Sequence, residues 1–157
     1  MIRPVVVLAA CLLAACAGGG PSGGGGGGGG NKCKCDPPGC PTVSYSQNIQ
    51  PIYDRSCAQS TACHRGSVPA GDLDLSQGKS YGQTVNVKSS QQPKVLRVKP
   101  GSPDNSYVYQ KIIGAPGISG TLMPQSCPGN PLQGAVCLSA DDIAAIGQWI
   151  TECATNS

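Results

Sequence analysis

The sequence contains no phenylalanine, one tryptophan and five tyrosines, so aromatic residues make up only 4% of its 157 positions. Large aromatic side chains supply much of the apolar area that a small domain buries when it folds. A chain with so few of them has a thin apolar core. We therefore expect its interior to be stabilised by disulfides, by a large flat molecule bound at its centre, or by both.

Charged side chains are also scarce, at 12% of the sequence, with eleven lysines and arginines against eight aspartates and glutamates. Arg3 belongs to a segment that we predict to be removed, which leaves ten basic against eight acidic side chains. The mature protein is thus nearly neutral, and no nucleic-acid partner is predicted. The sequence also has no phosphate-cradling loop, and its single histidine lacks the Ser and Asp context of a hydrolase.

Residues 1–15 have the composition of a lipoprotein signal peptide. The apolar run PVVVLAACLLAAC follows Arg3, and it is shorter than the roughly 20 residues that a membrane-spanning helix needs. Its end, LAAC, resembles the bacterial lipobox, which implies that Cys16 receives the lipid and becomes the mature N-terminus. The alternative is an ordinary secretory signal that is cut nearby.

Residues 16–31 form a glycine-rich segment that is predicted to act as a flexible tether. A coil of this length and composition has a root-mean-square reach of roughly 20 Å. Ala17 after the lipidated cysteine favours the outer membrane, by resemblance to enterobacterial sorting. We therefore expect a lipid-anchored protein of the bacterial cell envelope that faces the periplasm or the cell surface.

Ten cysteines are many for a chain of this length, which predicts export to an oxidising compartment and disulfide formation. Without Cys11 of the signal peptide and the lipidated Cys16, eight remain: Cys33, Cys35, Cys40, Cys57, Cys63, Cys127, Cys137 and Cys153. Cys127 and Cys137 bracket PGNPLQGAV and are predicted to form a disulfide. The cysteines of the Cys- and Pro-rich segment 32–44, together with Cys153, are expected to pair in a pattern that the sequence leaves open. A metal site in that segment would need reduced thiols and a fourth ligand.

Residues 45–157 are predicted to form a small all-α domain of three or four short helices with long loops. The segment 45–57 predicts a first helix with Ser46 as its N-cap. Ser102 and Pro103 predict the start of a second helix that ends before Gly114. Its apolar face is expected to contain Tyr107, Val108, Ile112 and the stem of Lys111.

A capping box, in which Ser139 precedes Asp142 by three positions, predicts the start of the last helix. Its predicted apolar face consists of Ile143, Ile146, Trp149 and Ile150. Residues 115–138 are rich in Gly and Pro and are predicted to be loop. The segment 69–87 is interpreted as loop with one helical turn at most, and Asp72 and Asp74 within it as solvated carboxylates rather than calcium ligands.

The stretch SCAQSTACHRG, residues 56–66, places the only histidine directly after the second of two cysteines. A covalent haem site needs thiols that add to the porphyrin vinyl groups and a histidine immediately after the second thiol. Cys63 and His64 meet this condition. Five residues separate Cys57 from Cys63 instead of the usual two, so the small polar residues between them must loop outward.

Met123, in GTLMPQ, is the only methionine apart from Met1. Its thioether is a soft ligand that suits haem iron opposite a histidine, and this ligand pair raises the reduction potential. Met123 lies in the predicted loop between the second and the last helix, from which it could approach the side of a haem opposite His64. The alternative is a loop methionine that covers the core.

From about residue 45 to 153 the chain resembles the bacterial cytochrome c domains of the planctomycete and myxobacterial lipoprotein type, which are similar in plan to class I cytochromes c. The resemblance runs in order through NIQPIYDRSC, CH, GDLDL, VKPGSPDNSYVYQKI, LMP and LSADDIAAIGQWI. It implies one covalent haem c with thioether links at Cys57 and Cys63, His64 as the proximal iron ligand and Met123 as the distal one. Cys57 could instead pair with another cysteine and leave Cys63 as the single link.

The function that follows from this resemblance is an electron carrier rather than an enzyme, expected to be monomeric and to meet redox proteins in transient contacts. It could also be an accessory subunit of an oxidoreductase. A different class remains open, namely a haem-free, disulfide-stapled surface lipoprotein that acts as a binding module. In that case Cys57 and Cys63 bond to each other, His64 is solvated and Met123 packs on the core.

Overall fold

The computed structural model describes residues 42–157. The predicted signal peptide, the lipid site at Cys16, the tether, and Cys33, Cys35 and Cys40 lie outside the described residues. Within the described part the chain is helical and has no strand. Its four helices are α1, Gln50–Ser56; α2, Ser80–Thr84; α3, Tyr107–Ile113; and α4, Ala140–Thr151. The prediction of a small all-α fold with short helices is confirmed at this level.

Short turns of other helix types occur between and beside the α-helices. One π-helical turn, Tyr45–Ile49, leads into α1, and 3₁₀ turns occur at Ala70–Asp72, Pro103–Asn105 and Leu132–Gly134. Three isolated backbone bridges tie the segment 85–98 to itself and to Ser106. No helix within residues 42–157 combines the length and the apolar character needed to cross a membrane.

The start of the first helix differs from the prediction. Ser44, not Ser46, is the N-cap, and its hydroxyl accepts a hydrogen bond from the Gln47 amide. Pro51 has no N–H to donate to the preceding turn, and the Gln50 amide there bonds to the Tyr45 carbonyl in a wider, π-type turn. The regular helix α1 begins only at Gln50 and delivers the chain to Cys57, which is its C-cap.

The second predicted helix is also divided at its start. Ser102 and Pro103 begin a 3₁₀ turn, and α3 starts after Ser106, whose backbone is extended. The Ser106 hydroxyl bonds to the Ser102 carbonyl at 2.8 Å and accepts from the Lys99 amide at 2.8 Å, which fixes this break. The predicted end is confirmed, because Gly114 caps α3 with a left-handed backbone, φ 66°.

The predicted apolar face of α3 is buried, and so is that of α4 except for Ile143. In α3 the buried residues are Tyr107, Val108, Lys111 and Ile112, and in α4 they are Ile146, Gly147, Trp149 and Ile150. The predicted capping box of α4 is present, and Arg55 of α1 forms a salt bridge with Asp142 of that box. Ile143 is only half-buried.

The core lies where the first turn, α1 and α4 meet. The Tyr45 ring packs against Trp149 and against Tyr81, with ring centroids 5.2 Å apart in both pairs. Trp149, Ile146 and Ile150 of α4 are fully buried there. α3 crosses α4 at Gly147, where a Cβ atom would lie 3.0 Å from the Tyr109 hydroxyl. This close approach explains why a glycine occupies the middle of the last helix.

The interpretation of Asp74 as a solvated carboxylate is wrong. Asp74 is only 2% exposed, and its carboxylate accepts hydrogen bonds from the Ser76 amide at 3.0 Å and the Lys79 ammonium at 2.9 Å. These bonds tie Asp74 to the turn at residues 77–79 that leads into α2. Within residues 42–157 no group of three or more His, Cys, Asp or Glu side chains is placed to hold a metal ion.

Candidate functional site

The segment between Cys57 and His64 forms a closed loop at the end of α1. The His64 amide donates to the Cys57 carbonyl at 3.1 Å, and the Cys63 amide donates to the Ser60 carbonyl at 3.0 Å. These bonds bring the histidine back beside the first cysteine in spite of the long spacer. Gln59, Thr61 and Ala62 are exposed, so the spacer loops outward as predicted.

Cys57 and Cys63 are both free, half-buried thiols. Burial, with a smaller contribution from the neighbouring Cys63, raises the pKa of Cys57 to about 12. Cys57 is therefore a protonated thiol at neutral pH, which makes it a poor nucleophile by itself. Cys57 thus does not resemble the activated cysteine of a hydrolase, although its backbone is hydrogen-bonded to that of His64.

His64 has its imidazole fixed by the backbone of the following loop. Its Nδ1 lies 2.9 Å from the Ala70 carbonyl oxygen. Because a carbonyl can only accept, Nδ1 carries the proton and Nε2 keeps its lone pair. Burial lowers the pKa of His64 against the opposing effect of backbone hydrogen bonding at Ala70 and Leu73, so the ring is neutral at pH 7. This is the state in which a histidine binds a metal.

Met123 reaches the same region from the loop that follows α3. Its amide donates to the Lys111 carbonyl at 2.9 Å, so the loop returns along the last turn of the helix. The preceding Leu122 packs at Gly114, where a Cβ atom would meet the Leu122 Cδ1 at 3.0 Å. A few residues later the chain is closed by a disulfide between Cys127 and Cys137, with a sequence separation of 10 residues. Cys153, at the end of α4, is disulfide-bonded as well.

The four predicted site residues lie around one groove. It consists of two adjoining cavities of about 130 Å³ and about 90 Å³, and Cys57, His64 and Met123 line both. The first cavity is lined in addition by Cys63, Leu132 and Ala135, among others. Leu73, Leu75, Val108 and Ile112 contribute an apolar wall to the second. The structure thereby brings together residues that lie far apart in the sequence.

Several polar residues of the groove were not predicted, among them Arg97, Lys111 and Ser56. Arg97 is 7% exposed and donates to the carbonyls of Gln83, Gly71 and Asp72 at 2.8 to 3.1 Å. Lys111 lines the same cavity as Arg97. Ser56 lines the other cavity, and its hydroxyl is buried without a hydrogen-bond partner. Of these three residues, only Lys111 could have been found from the sequence, because it lies on the predicted apolar face of the second helix.

The donor set of the groove fits a covalently bound haem. Two free thiols, a neutral imidazole with an available Nε2 and a thioether are the groups that such a haem requires. No acidic side chain lines either cavity, whereas Arg97 and Lys111 do, which suits a ligand that carries carboxylates. Each cavity is smaller than the about 300 Å³ at which ligand pockets usually begin, so neither cavity by itself would hold a haem.

Comparisons of the chain with protein-family models, with curated proteins and with solved structures found no significant match.

Proposed function

We propose that this chain is a membrane-tethered monohaem c-type cytochrome that carries single electrons between protein partners in the cell envelope. The observation that supports the proposal most is the convergence of Cys57, Cys63, His64 and Met123 on one groove. The only histidine and the only methionine beyond Met1 meet there. Two free cysteines beside them complete the set that covalent haem attachment needs.

Each residue would have a separate task in holding the haem. Cys57 and Cys63 would carry the thioether links, and His64 Nε2 and the Met123 sulfur would bind the iron. The bound haem supplies a one-electron couple. The hydrogen bond from His64 Nδ1 to the Ala70 carbonyl fixes the plane of the imidazole and makes Nε2 a stronger donor.

The rest of the groove would set the environment of the iron. The apolar wall of Leu73, Leu75, Val108 and Ile112 would limit the access of water to a bound haem, and an apolar site with histidine and methionine ligands favours a high reduction potential. Contact with redox partners would be small and transient, as is usual for electron transfer. The lipid on Cys16 and the tether would keep the domain close to a membrane.

The haem-free alternative requires a disulfide between Cys57 and Cys63, but both are free thiols in the structure. It also treats His64 as a solvated side chain, whereas the imidazole is bonded to Ala70 and its pKa is lowered by burial. Neither feature favours a disulfide-stapled binding module. The cytochrome remains the function that these contacts support best.

The proposal is tested by expressing the full chain in a bacterium with a c-type cytochrome maturation system. The exported protein should show a sharp α band in the reduced-minus-oxidised spectrum and should retain its haem after denaturation. His64→Ala should lose the low-spin spectrum, whereas Gln125→Ala, at an exposed residue lining the groove, should keep it. A folded, exported wild-type protein without haem would rule out the proposed function.

A further inference from the structure

Lys111 is a buried lysine whose ammonium binds the backbone of the loop at residues 119–123, which carries Met123. The residue is 7% exposed, and its Nζ donates to the Ser119 carbonyl at 2.8 Å and to the Thr121 carbonyl. The Lys111 carbonyl accepts the Met123 amide at 2.9 Å. One residue of α3 therefore holds the segment 119–123 at three points, two through its side chain and one through its backbone.

The conformation of the loop is suited to this contact. Gly120 has a left-handed backbone, φ 72°, and turns the two flanking carbonyls toward the ammonium. A Cβ atom at Gly120 would lie 3.9 Å from Nζ. Tyr107, one helical turn before Lys111, accepts a hydrogen bond from the Ser119 amide on its hydroxyl at 3.0 Å. The loop is thus folded around the charged end of the lysine.

The Lys111 ammonium is balanced by carbonyl dipoles rather than by a carboxylate. Among the described residues the two ion pairs are Arg55 with Asp142 and Lys79 with Asp74. Removing a charge from water is costly unless hydrogen bonds compensate for it. A neutral apolar residue would cover the same face of α3 without the desolvation cost. We therefore expect the ammonium to have a role other than packing.

We propose that Lys111 is a positioning residue that sets Met123 in the groove. By gathering the carbonyls of residues 119 and 121, its ammonium fixes the loop two residues before the thioether and presents Met123 to the cavity that His64 also lines. The inference rests on the proposed function, because an exact placement of Met123 matters only if its sulfur binds iron. The amide contact between Met123 and Lys111 is a backbone contact and does not depend on the lysine side chain.

The test compares Lys111→Leu, which removes the ammonium and keeps an apolar stem, with Lys111→Arg, which keeps charged donors. Lys94→Leu removes the same charge from an exposed position and is the control. Methionine is avoided as a replacement because Met123 must remain the only methionine of the mature chain. All variants are produced as the full-length, haem-loaded protein.

Two readouts report on Met123 itself. The first is the weak far-red absorption of the ferric protein that arises from ligation by methionine sulfur. The second is the rate at which peroxide converts Met123 to its sulfoxide, followed by mass spectrometry. We expect Lys111→Leu to retain covalent haem, to lose most of the far-red absorption and to oxidise Met123 at least several-fold faster. Lys111→Arg should restore both values toward wild type, and Lys94→Leu should change neither.

A Lys111→Leu protein with the wild-type far-red absorption and the wild-type oxidation rate would overturn this inference and leave the proposed function intact. If Lys111→Leu does not accumulate, Lys111→Ala, which also removes every side-chain donor, is measured instead with the same expectation and the same contrary result. A wild-type protein that carries no haem would overturn the proposed function itself. The wild-type haem content therefore separates the two failures before any variant is compared.

Discussion

At the residue scale, His64 and Lys111 each divide their polar groups between two tasks. The imidazole of His64 donates from Nδ1 to Ala70 and keeps Nε2 for a ligand. Lys111 accepts the Met123 amide on its carbonyl and uses its ammonium to bind the carbonyls of Ser119 and Thr121. Both residues thus connect the groove to the backbone of a loop, which is how a chain with few rigid elements can hold a defined site.

Asp74 allows a prediction of pH dependence. Hydrogen bonds from Ser76 and Lys79 lower its pKa to about 2, compared with about 3.9 in an unfolded chain. Because the folded-state pKa is the lower one, the stabilisation is complete above about pH 4 and is lost as the pH falls toward about 2. We expect Asp74→Asn to be less stable than wild type at pH 7, with a difference that shrinks between pH 4 and pH 2.

Urea unfolding midpoints at several pH values between 2 and 7 measure this difference. Asp104→Asn, at an exposed carboxyl, controls for the loss of one negative charge. A difference between Asp74→Asn and wild type that stays constant down to pH 2 would contradict the assigned hydrogen bonds.

The sequence was informative about residues whose chemistry depends on adjacency or scarcity. Cys63 followed by His64 and the single internal methionine are visible without a structure, and the structure places all of them on one groove. The ammonium of Lys111 could not be assigned in this way, because its partners are backbone carbonyls in a loop without a periodic pattern. The buried state of Asp74 was missed for the same reason, since its partners lie in the irregular turn that follows it.

At the element scale, caps and prolines decide where the helices begin and end. The capping box of α4 and the glycine after α3 were predicted correctly because both are local signals. The starts of α1 and α3 were predicted wrongly, because nearby residues make or withhold hydrogen bonds in ways that interrupt a regular helix there. Pro51 withholds a donor inside the first turn, and the Ser106 hydroxyl prefers the backbone of Lys99 and Ser102 to a continuous helix.

The disulfide between Cys127 and Cys137 lies just after Met123 in the chain and allows a prediction about the segment that carries this residue. It closes a loop with a sequence separation of 10 residues, and cross-links of this kind typically stabilise a protein by about 2 to 4 kcal/mol. We expect the double variant Cys127→Ser, Cys137→Ser to lose free energy of unfolding in this range. We also expect peroxide to oxidise its Met123 faster, because the loop that carries the thioether is less constrained.

Equilibrium unfolding in urea and the sulfoxide assay check this prediction. Asn130→Ser, at an exposed residue between the two cysteines that lines neither cavity, serves as the control. A double serine variant that matches this control in both measurements would show that the disulfide does not restrain the loop.

At the scale of the whole molecule, most of the few aromatic residues form one cluster and leave the region of the groove without another. The aromatic contacts of the core involve Tyr45, Tyr53, Tyr81 and Trp149, all on the side where the first turn, α1 and α4 meet. The C-terminal end of α1, where Cys57 and the loop to His64 lie, borders the two cavities instead. A haem in this groove would supply the apolar mass that the sequence lacks.

The intact mass of the mature, exported protein tests this account most directly, because it reports the lipid, the haem and the state of the thiols together. We predict the mass of a chain that begins at Cys16 with its lipid and carries one haem, with Cys57 and Cys63 unavailable to thiol reagents after denaturation. The contrary result is a compactly folded protein with the mass of the bare or lipidated chain and no porphyrin. That outcome would show that the groove formed by Cys57, Cys63, His64 and Met123 is not a haem site.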